Sequence, residues 1–156
     1  MRILMVCLGN ICRSPMAEGI MRAKLEKHGL HDITVDSAGT SDYHTGENPD
    51  PRATKKARSY KVDISNLKAR QFTVQDFDDF DSIYAMDSSN FSDITALARN
   101  EKDKEKVKLI LNVTNEGKNL SVPDPYFGGD EGFENVFLML DKACETIAQD
   151  IKSSVK

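Results

Sequence analysis

The sequence predicts an α/β fold of three layers, with a mostly parallel sheet of about four strands and helices on both of its faces. Three observations predict it. Strand-like and helix-like segments alternate along the chain. The first, Ile3-Leu4-Met5-Val6, is an unbroken apolar run, as a strand buried on both faces requires. That run then passes through a tight turn at Gly9-Asn10 directly into a helix start, the opening of a βαβ unit.

Ser14-Pro15 opens the first helix, with Ser14 expected as the N-cap and Pro15 at the first helical position. Ile20, Ala23 and Leu25 supply its inward side, and Gly29 ends it. Ile33-Thr34-Val35 is the second strand, and a loop punctuated by Gly and Pro follows from Ser37 to Pro51. Pro51 through Tyr60 reads as a helix. Asp81 to Met86 is the third strand, followed by Asp87-Ser88-Ser89-Asn90, all N-cap residue types, and a helix reaching Arg99. The run Glu101 to Lys106 alternates in charge and reads as a solvated loop or helix end. Val107 to Leu111 is the fourth strand. A loop holding Val122-Pro123-Asp124-Pro125-Tyr126 leads to the last helix, where Phe133, Val136, Phe137, Leu140, Ala143, Cys144 and Ile147 recur at helical spacing. No repeat or linker divides residues 1–156, which are read as one domain. Ligand sites of such sheets lie at the C-terminal strand ends, where the turn after Val6 falls.

The 21 Lys and Arg against 25 Asp and Glu leave a net charge of −4, which excludes a generally basic nucleic-acid binder. The charge is uneven: residues 1–75 hold 12 basic and 8 acidic side chains, and residues 76–156 hold 9 and 17. The longest stretch free of charged residues, Ile3 to Cys12, is 10 residues. A spanning helix needs about 18, so no membrane segment is expected. The apolar start is also too short for a signal peptide, and the expected location is cytoplasmic. Cys7, Cys12 and Cys144 are an odd number, which argues against a disulfide framework. With His28, His31 and His44 the only histidines, no four-ligand zinc spacing exists, so neither metal nor other cofactor is expected.

The chemistry lies in Cys7-Leu8-Gly9-Asn10-Ile11-Cys12-Arg13-Ser14, a Cys and an Arg with five residues between them, closing on a helix N-terminus. Successive backbone N–H groups of such a loop can converge on one anion, the helix dipole adds positive potential, and Arg13 offers a planar fork for two phosphate oxygens. A thiol beside a helix N-terminus and an arginine has its pKa lowered from ~8.5 into roughly the 3.5–7.5 range. The pattern therefore predicts a phosphate-binding loop after the first strand, with a thiolate nucleophile at its base.

The run Val6 to Glu18 resembles the signature of the low-molecular-weight protein tyrosine phosphatases. Asp36 to Thr40, Pro49 to Ala53, Ala69-Arg70-Gln71, Ala85-Met86-Asp87 and Pro123 to Tyr126 resemble further motifs of that family in the same order, covering nearly the whole chain. The resemblance implies hydrolysis of phosphotyrosine in proteins through a cysteinyl-phosphate on Cys7. Arg13 and the loop amides from Leu8 to Arg13 would bind the phosphate, and Asp124 would serve as general acid and then base. It further implies that Ser14 supports the thiolate, and that Asn10 holds the loop with hydrogen bonds from Ser37 and Asp87. The implied walls of the substrate slot are Leu8, Ile11, Tyr43, Tyr126 and Phe127, although scattered aromatics serve equally as core or turn residues. Cys12 is either a small residue lining the loop or, as the family suggests, a resolving thiol for oxidised Cys7.

The chain departs from the family at Tyr43, where many members have Trp, at Phe127, where they have a second Tyr, and at Leu67. At the last, some members carry a His bonded to the loop Asn. An arsenate reductase on the same fold would need a further cysteine pair, and residues 80–100 contain none. A catalytically silent phosphate-binding module is at odds with intact Cys7, Arg13 and Asp124.

Overall fold

A computed structural model describes residues 1–126 and 128–154. Its sheet has four parallel strands, β1 (Arg2–Cys7), β2 (Thr34–Gly39), β3 (Ser82–Ala85) and β4 (Val107–Leu109), in the order β2-β1-β3-β4. The helices are α1 (Arg13–Lys27), α2 (Pro51–Ser59), α3 (Gln75–Asp79), α4 (Ser88–Ala96), α5 (Glu101–Glu105) and α6 (Asp130–Ser154). The central strand β1 explains the unbroken apolar run. Ile3, Met5 and Cys7 join a core shared with α1 and α6, while Leu4 and Val6 join a second core on the opposite face with Phe77 of α3 and Ile94 of α4. Alternate side chains of a strand point to opposite faces, so a strand covered on both is apolar at every position.

Several elements differ from expectation. Ser14 is not the N-cap of α1: the helix begins at Arg13, Cys12 precedes it, and the Ser14 hydroxyl turns inward. The first two turns of α1, Arg13 to Met21, are buried on all sides because sheet, α2 and α6 surround them, whereas Ala23 faces solvent. Strand β2 runs on through Asp36-Ser37-Ala38-Gly39, polar and small residues that conceal it in the sequence but pair in register with Leu4 to Cys7. Segment 70–72 borders its end, Gly39 N–H donating to Arg70 O at 2.8 Å and Phe72 N–H to Gly39 O at 2.7 Å. The Glu101–Lys106 run contains helix α5, whose N-cap Asn100 accepts from the Asp103 amide. The fourth strand ends at Leu109, and a 3₁₀ turn takes over from Ile110. Helix α4 ends at Ala96, short of the expected Arg99, helix α3 has no counterpart among the expected elements, and Asp50 caps α2. The remaining expectations hold closely: Asp87 caps α4, and Gly29 stops α1 at φ +69°. There the Leu30 and Gly29 amides close back on Leu25 and Glu26.

Helices α1 and α6 are clamped by Glu145, which lies 3.0 Å from Lys27 Nζ, 3.4 Å from Lys24 Nζ and 2.6 Å from His28 Nε2. Burial alone would push its carboxyl up, but hydrogen bonds from Lys27 and His28 and their charges outweigh it and hold the pKa at about 2. A depressed carboxylate stabilises the fold above its unfolded pKa of about 4.3, and this contribution fades as pH falls toward the folded value. Glu145→Gln should therefore lower Tm at pH 7, with the difference from the unaltered chain shrinking steadily between pH 4 and pH 2. Thermal unfolding across that series checks it; a constant difference would separate Glu145 from the acid response. Among the described residues, no helix is long and apolar enough to cross a membrane.

Candidate active site

Strand β1 delivers Cys7 to the C-terminal edge of the sheet, and the loop from Leu8 to Cys12 returns the chain onto the start of α1. The carbonyls of Cys7, Leu8, Ile11 and Cys12 are held from outside the loop by the amides of Thr40 (2.9 Å), Ser41 (3.0 Å), Asp50 (2.8 Å) and Met16 (3.2 Å). In a trans peptide plane the following N–H points opposite to its carbonyl. The amides of Leu8, Gly9, Cys12 and Arg13 are accordingly directed away from these partners. Asn10 takes the left-handed backbone (φ 57°), and its amide donates to Cys7 Sγ at 3.3 Å. Asparagine tolerates that conformation better than most side chains.

The Asn10 side chain, nearly fully buried, spans the loop. Its Nδ2 donates to Ser14 Oγ (2.7 Å) and Ser37 Oγ (3.0 Å), and its Oδ1 accepts from the Arg70 amide (3.0 Å). Ser14 Oγ sits 3.0 Å from Cys7 Sγ. Ser14 and Ser37 thus stand where the resemblance implied. Asp87 does not: it bonds Arg13, not Asn10, because β3 ends facing the first turn of α1. With Leu67 in this chain, the Asn10 side-chain oxygen accepts from the Arg70 backbone amide.

Gly39 lies beneath the loop. A Cβ there would stand 2.7 Å from Leu8 O and 3.1 Å from Gly9 C, both backbone atoms that cannot yield without moving the loop. Gly39→Ala is expected to destabilise the chain by about 1–3 kcal/mol and to weaken its hold on inorganic phosphate. Thermal unfolding and a phosphate titration check this; unchanged phosphate affinity would show that loop and strand are independent.

Arg13 opens α1 with its side chain buried. Its Nη1 donates to Asp87 Oδ2 at 2.6 Å and to Val122 O at 3.0 Å, and its Nη2 is 3.7 Å from Asp124 Oδ2. Burial draws the guanidinium's pKa down, but the nearby Cys7, Asp87 and Asp124 charges and the Asp87 hydrogen bond more than reverse this. Arg13 is held charged and oriented. Asp87 serves two elements, since its other oxygen accepts from the Asn90 amide as the cap of α4. The segment carrying Asp124 is tied to the sheet by Val122 N–H on Met86 O (2.8 Å), and the Tyr126 amide steadies Asp124 Oδ1 at 3.0 Å. Cys12 is buried in the same wall. Burial first, then the charges of Asp50, Cys7 and Asp124, push its thiol well above the ordinary range, so it stays protonated.

These groups enclose a cavity of about 210 Å³ lined by Cys7, Leu8, Gly9, Ile11, Cys12, Arg13, Tyr43, His44, Asp124 and Tyr126. Leu8, Ile11 and Tyr126 stand on its walls, and Tyr43, 77% exposed, projects from its rim. Phe127 lies outside the described residues. A profile of the family described as "Low molecular weight phosphotyrosine protein phosphatase" matches residues 2–156. The Schizosaccharomyces pombe protein of that name is 41% identical, with 89% of each chain covered. The chain belongs to the low-molecular-weight phosphotyrosine protein phosphatase family. An Entamoeba histolytica protein tyrosine phosphatase, solved with Hepes in its active site, superposes with a TM-score of 0.92 at 36% identity, covering 100% of this chain and 99% of that one. A Drosophila arginine phosphatase superposes at 0.90 with 34% identity, covering 97% and 98%.

Two residues of this phosphatase site carried no assigned role in the sequence. Arg52 forks onto Asp50 (Nε–Oδ1 3.0 Å, Nη2–Oδ2 2.9 Å) and lies 5.3 Å from the centre of the Tyr126 ring and 4.9 Å from that of Phe133. It props the segment bearing Asp124 against α2 and α6, and the Pro49 to Ala53 motif was its only sequence signal. His44 enters the cavity wall beside Gly9 with its Nδ1 3.0 Å from Glu47 Oε2. A lone histidine in a long loop gave no signal at all.

Proposed function

We propose that the chain hydrolyses phosphotyrosine in proteins, and aryl phosphate monoesters generally, by way of a cysteinyl-phosphate on Cys7. One observation carries this reading: the thiol, the charged Arg13 fork and the Asp124 carboxyl line one cavity whose walls are otherwise largely apolar. A phosphate seated in the loop meets the amide edge and Arg13 on its nonbridging oxygens, with the Cys7 sulfur in line behind phosphorus. As the thiolate displaces the ester oxygen, Asp124 donates its proton to the leaving phenolate. The resulting carboxylate then takes a proton from the water that attacks the phosphocysteine, releasing phosphate and restoring the thiolate. Asp87 holds the guanidinium in register throughout.

Leu8, Ile11 and Tyr126 form walls suited to an aromatic ring, whereas a phosphorylated guanidinium would ask for a second carboxylate beside Asp124. Hydrolysis of a phosphotyrosine peptide, measured beside phosphoserine and phosphoarginine peptides and arsenate reduction, tests the assignment. Preference for the tyrosine ester is expected. A phosphoarginine preference would instead align the chain with its Drosophila neighbour.

Cys12 lines the same cavity as Cys7, which supports the resolving role, but its protonated thiol must shed its proton to attack. Peroxide would oxidise Cys7 to the sulfenic acid with loss of water, and the Cys12 thiol would then displace hydroxide to give a Cys7–Cys12 disulfide and a second water. All three cysteines are free thiols here. Mass spectrometry of peroxide-treated protein should find the linked pair, and its absence alongside Cys7 sulfinic acid would remove the protective role.

A further inference from the structure

We propose that Glu18 is a positioning residue for Cys7: its buried carboxylate fixes the direction of a hydrogen-bond chain through Ser37, Asn10 and Ser14, so that the Ser14 proton is delivered to the Cys7 sulfur. This rests on the reading of Cys7 as nucleophile. Glu18 is on the second turn of α1, 3% exposed in a largely apolar core, and nothing in the mechanism above uses it. Its Oε1 accepts from Ser37 Oγ at 2.6 Å and its Oε2 from Arg22 Nη2 at 2.6 Å. Ser37, Asn10, Ser14 and Cys7 are each at most 4% exposed, so water does not substitute for any link.

Donor and acceptor capacities fix every link but the last. The Arg70 amide pins Asn10 Oδ1 as acceptor, so both hydrogens of Nδ2 go outward, one to Ser37 and one to Ser14. Each serine oxygen is thereby an acceptor and must spend its own proton elsewhere. Burial raises the Glu18 pKa against the hydrogen bonds from Ser37 and Arg22 and the Arg22 charge; in the Arg22-paired carboxylate form Glu18 only accepts, so the Ser37 proton goes to it. The Ser14 proton has two choices, the Cys7 sulfur at 3.0 Å or Ala38 O at 3.4 Å. The shorter contact, and an anion where sulfur is deprotonated, favours Cys7. Without an acceptor at position 18 the Ser37 proton is stranded in the core. Ser37 and Asn10 must then reorient, and the amide hydrogen that keeps Ser14 aimed at sulfur is lost.

Charge and hydrogen bonding act oppositely here, which makes the idea separable. The negative charge of Glu18, partly offset by Arg22 on α1 and reinforced by Asp36 on β2, disfavours a thiolate, whereas the relayed hydrogen bond favours one. Glu18→Met fills the volume and removes the acceptor together with the charge. Glu18→Gln removes the charge but keeps an oxygen for Ser37, since Arg22, half-exposed, can turn to solvent.

The readout is the pH profile of Cys7 alkylation by iodoacetamide, located by mass spectrometry, with inorganic phosphate binding and Tm as controls on the loop and fold. Glu18→Met should move the midpoint up by about one pH unit and lower kcat more than it changes KM, while Glu18→Gln stays at or below the unaltered midpoint. No shift in Glu18→Met, or an equal upward shift in both, overturns the proposal. Should Glu18→Met fail to fold, Ser37→Ala cuts the chain at the next link and is expected to give the same upward shift; an unaltered profile there overturns it as well. Failure of the unaltered chain to turn over phosphotyrosine would strike the functional reading instead, and the alkylation profile would still decide the role of Glu18.

Discussion

Cys7→Ser should abolish phosphotyrosine turnover, by on the order of 10⁴-fold or more, while inorganic phosphate still binds. The partners of Cys7 Sγ are Ser14 Oγ at 3.0 Å and the Asn10 amide at 3.3 Å, neither of them a base. A thiol is a far stronger acid and, as its anion, a far better nucleophile than a serine hydroxyl, and among the described residues no base stands beside position 7 to take the serine proton. Phosphate recognition resides elsewhere, in the loop amides and in Arg13, which Asp87 and Val122 O hold in place. Removing a sulfur anion from beneath a bound dianion should, if anything, tighten phosphate. Isothermal titration of phosphate with steady-state kinetics checks both halves. Retained turnover would end the covalent mechanism, and lost phosphate binding would show that sulfur is part of the cradle.

Asp124→Asn should lower kcat by about 10²–10⁴-fold for a phenyl ester, and much less for an ester whose leaving group is already a weak base. A good leaving group departs without a proton, so the acid's contribution disappears there. The carboxyl is well placed for that selective role. It is 44% exposed, lines the same cavity as Cys7 and is steadied by the Tyr126 amide. At 3.7 Å its contact with Arg13 is loose enough to yield to a substrate oxygen. Rates for a series of aryl phosphates plotted against leaving-group pKa check this: the slope should steepen in the variant. An unchanged slope with uniformly lower rates would reassign Asp124 to binding.

Much of the fold was legible because β1 is buried on both faces and so is apolar at every position, and because Pro51, Asp87 and Gly29 mark helix ends with unambiguous chemistry. What misled was local chemistry overridden by tertiary demand. Ser14-Pro15 has the form of a helix cap, yet the loop requires the Ser14 hydroxyl for Asn10 and Cys7, and the helix starts two residues earlier, after Cys12, without it. The Asp36 to Gly39 stretch looks like a loop because its polar groups serve the site: Ser37 faces Asn10, and Gly39 makes room for Leu8. Asp87 is visible as a cap, but its second oxygen finds Arg13 across 74 residues of sequence.

The layered α/β architecture, the loop from Cys7 to Arg13, the family and the candidate acid at Asp124 can all be read along the chain. These are written in local pattern, in residue order and in motifs that require no partner to be recognised. Which groups meet is settled by the packed fold: Asp87 with Arg13, Arg70 N–H with Asn10, Arg52 beneath Tyr126, and Glu18 at the far end of the hydrogen-bond chain that reaches Cys7. Hydrogen-bond direction is a property of a closed network, since each donor's choice depends on what its acceptor has already accepted. No stretch of sequence holds all the members of that network.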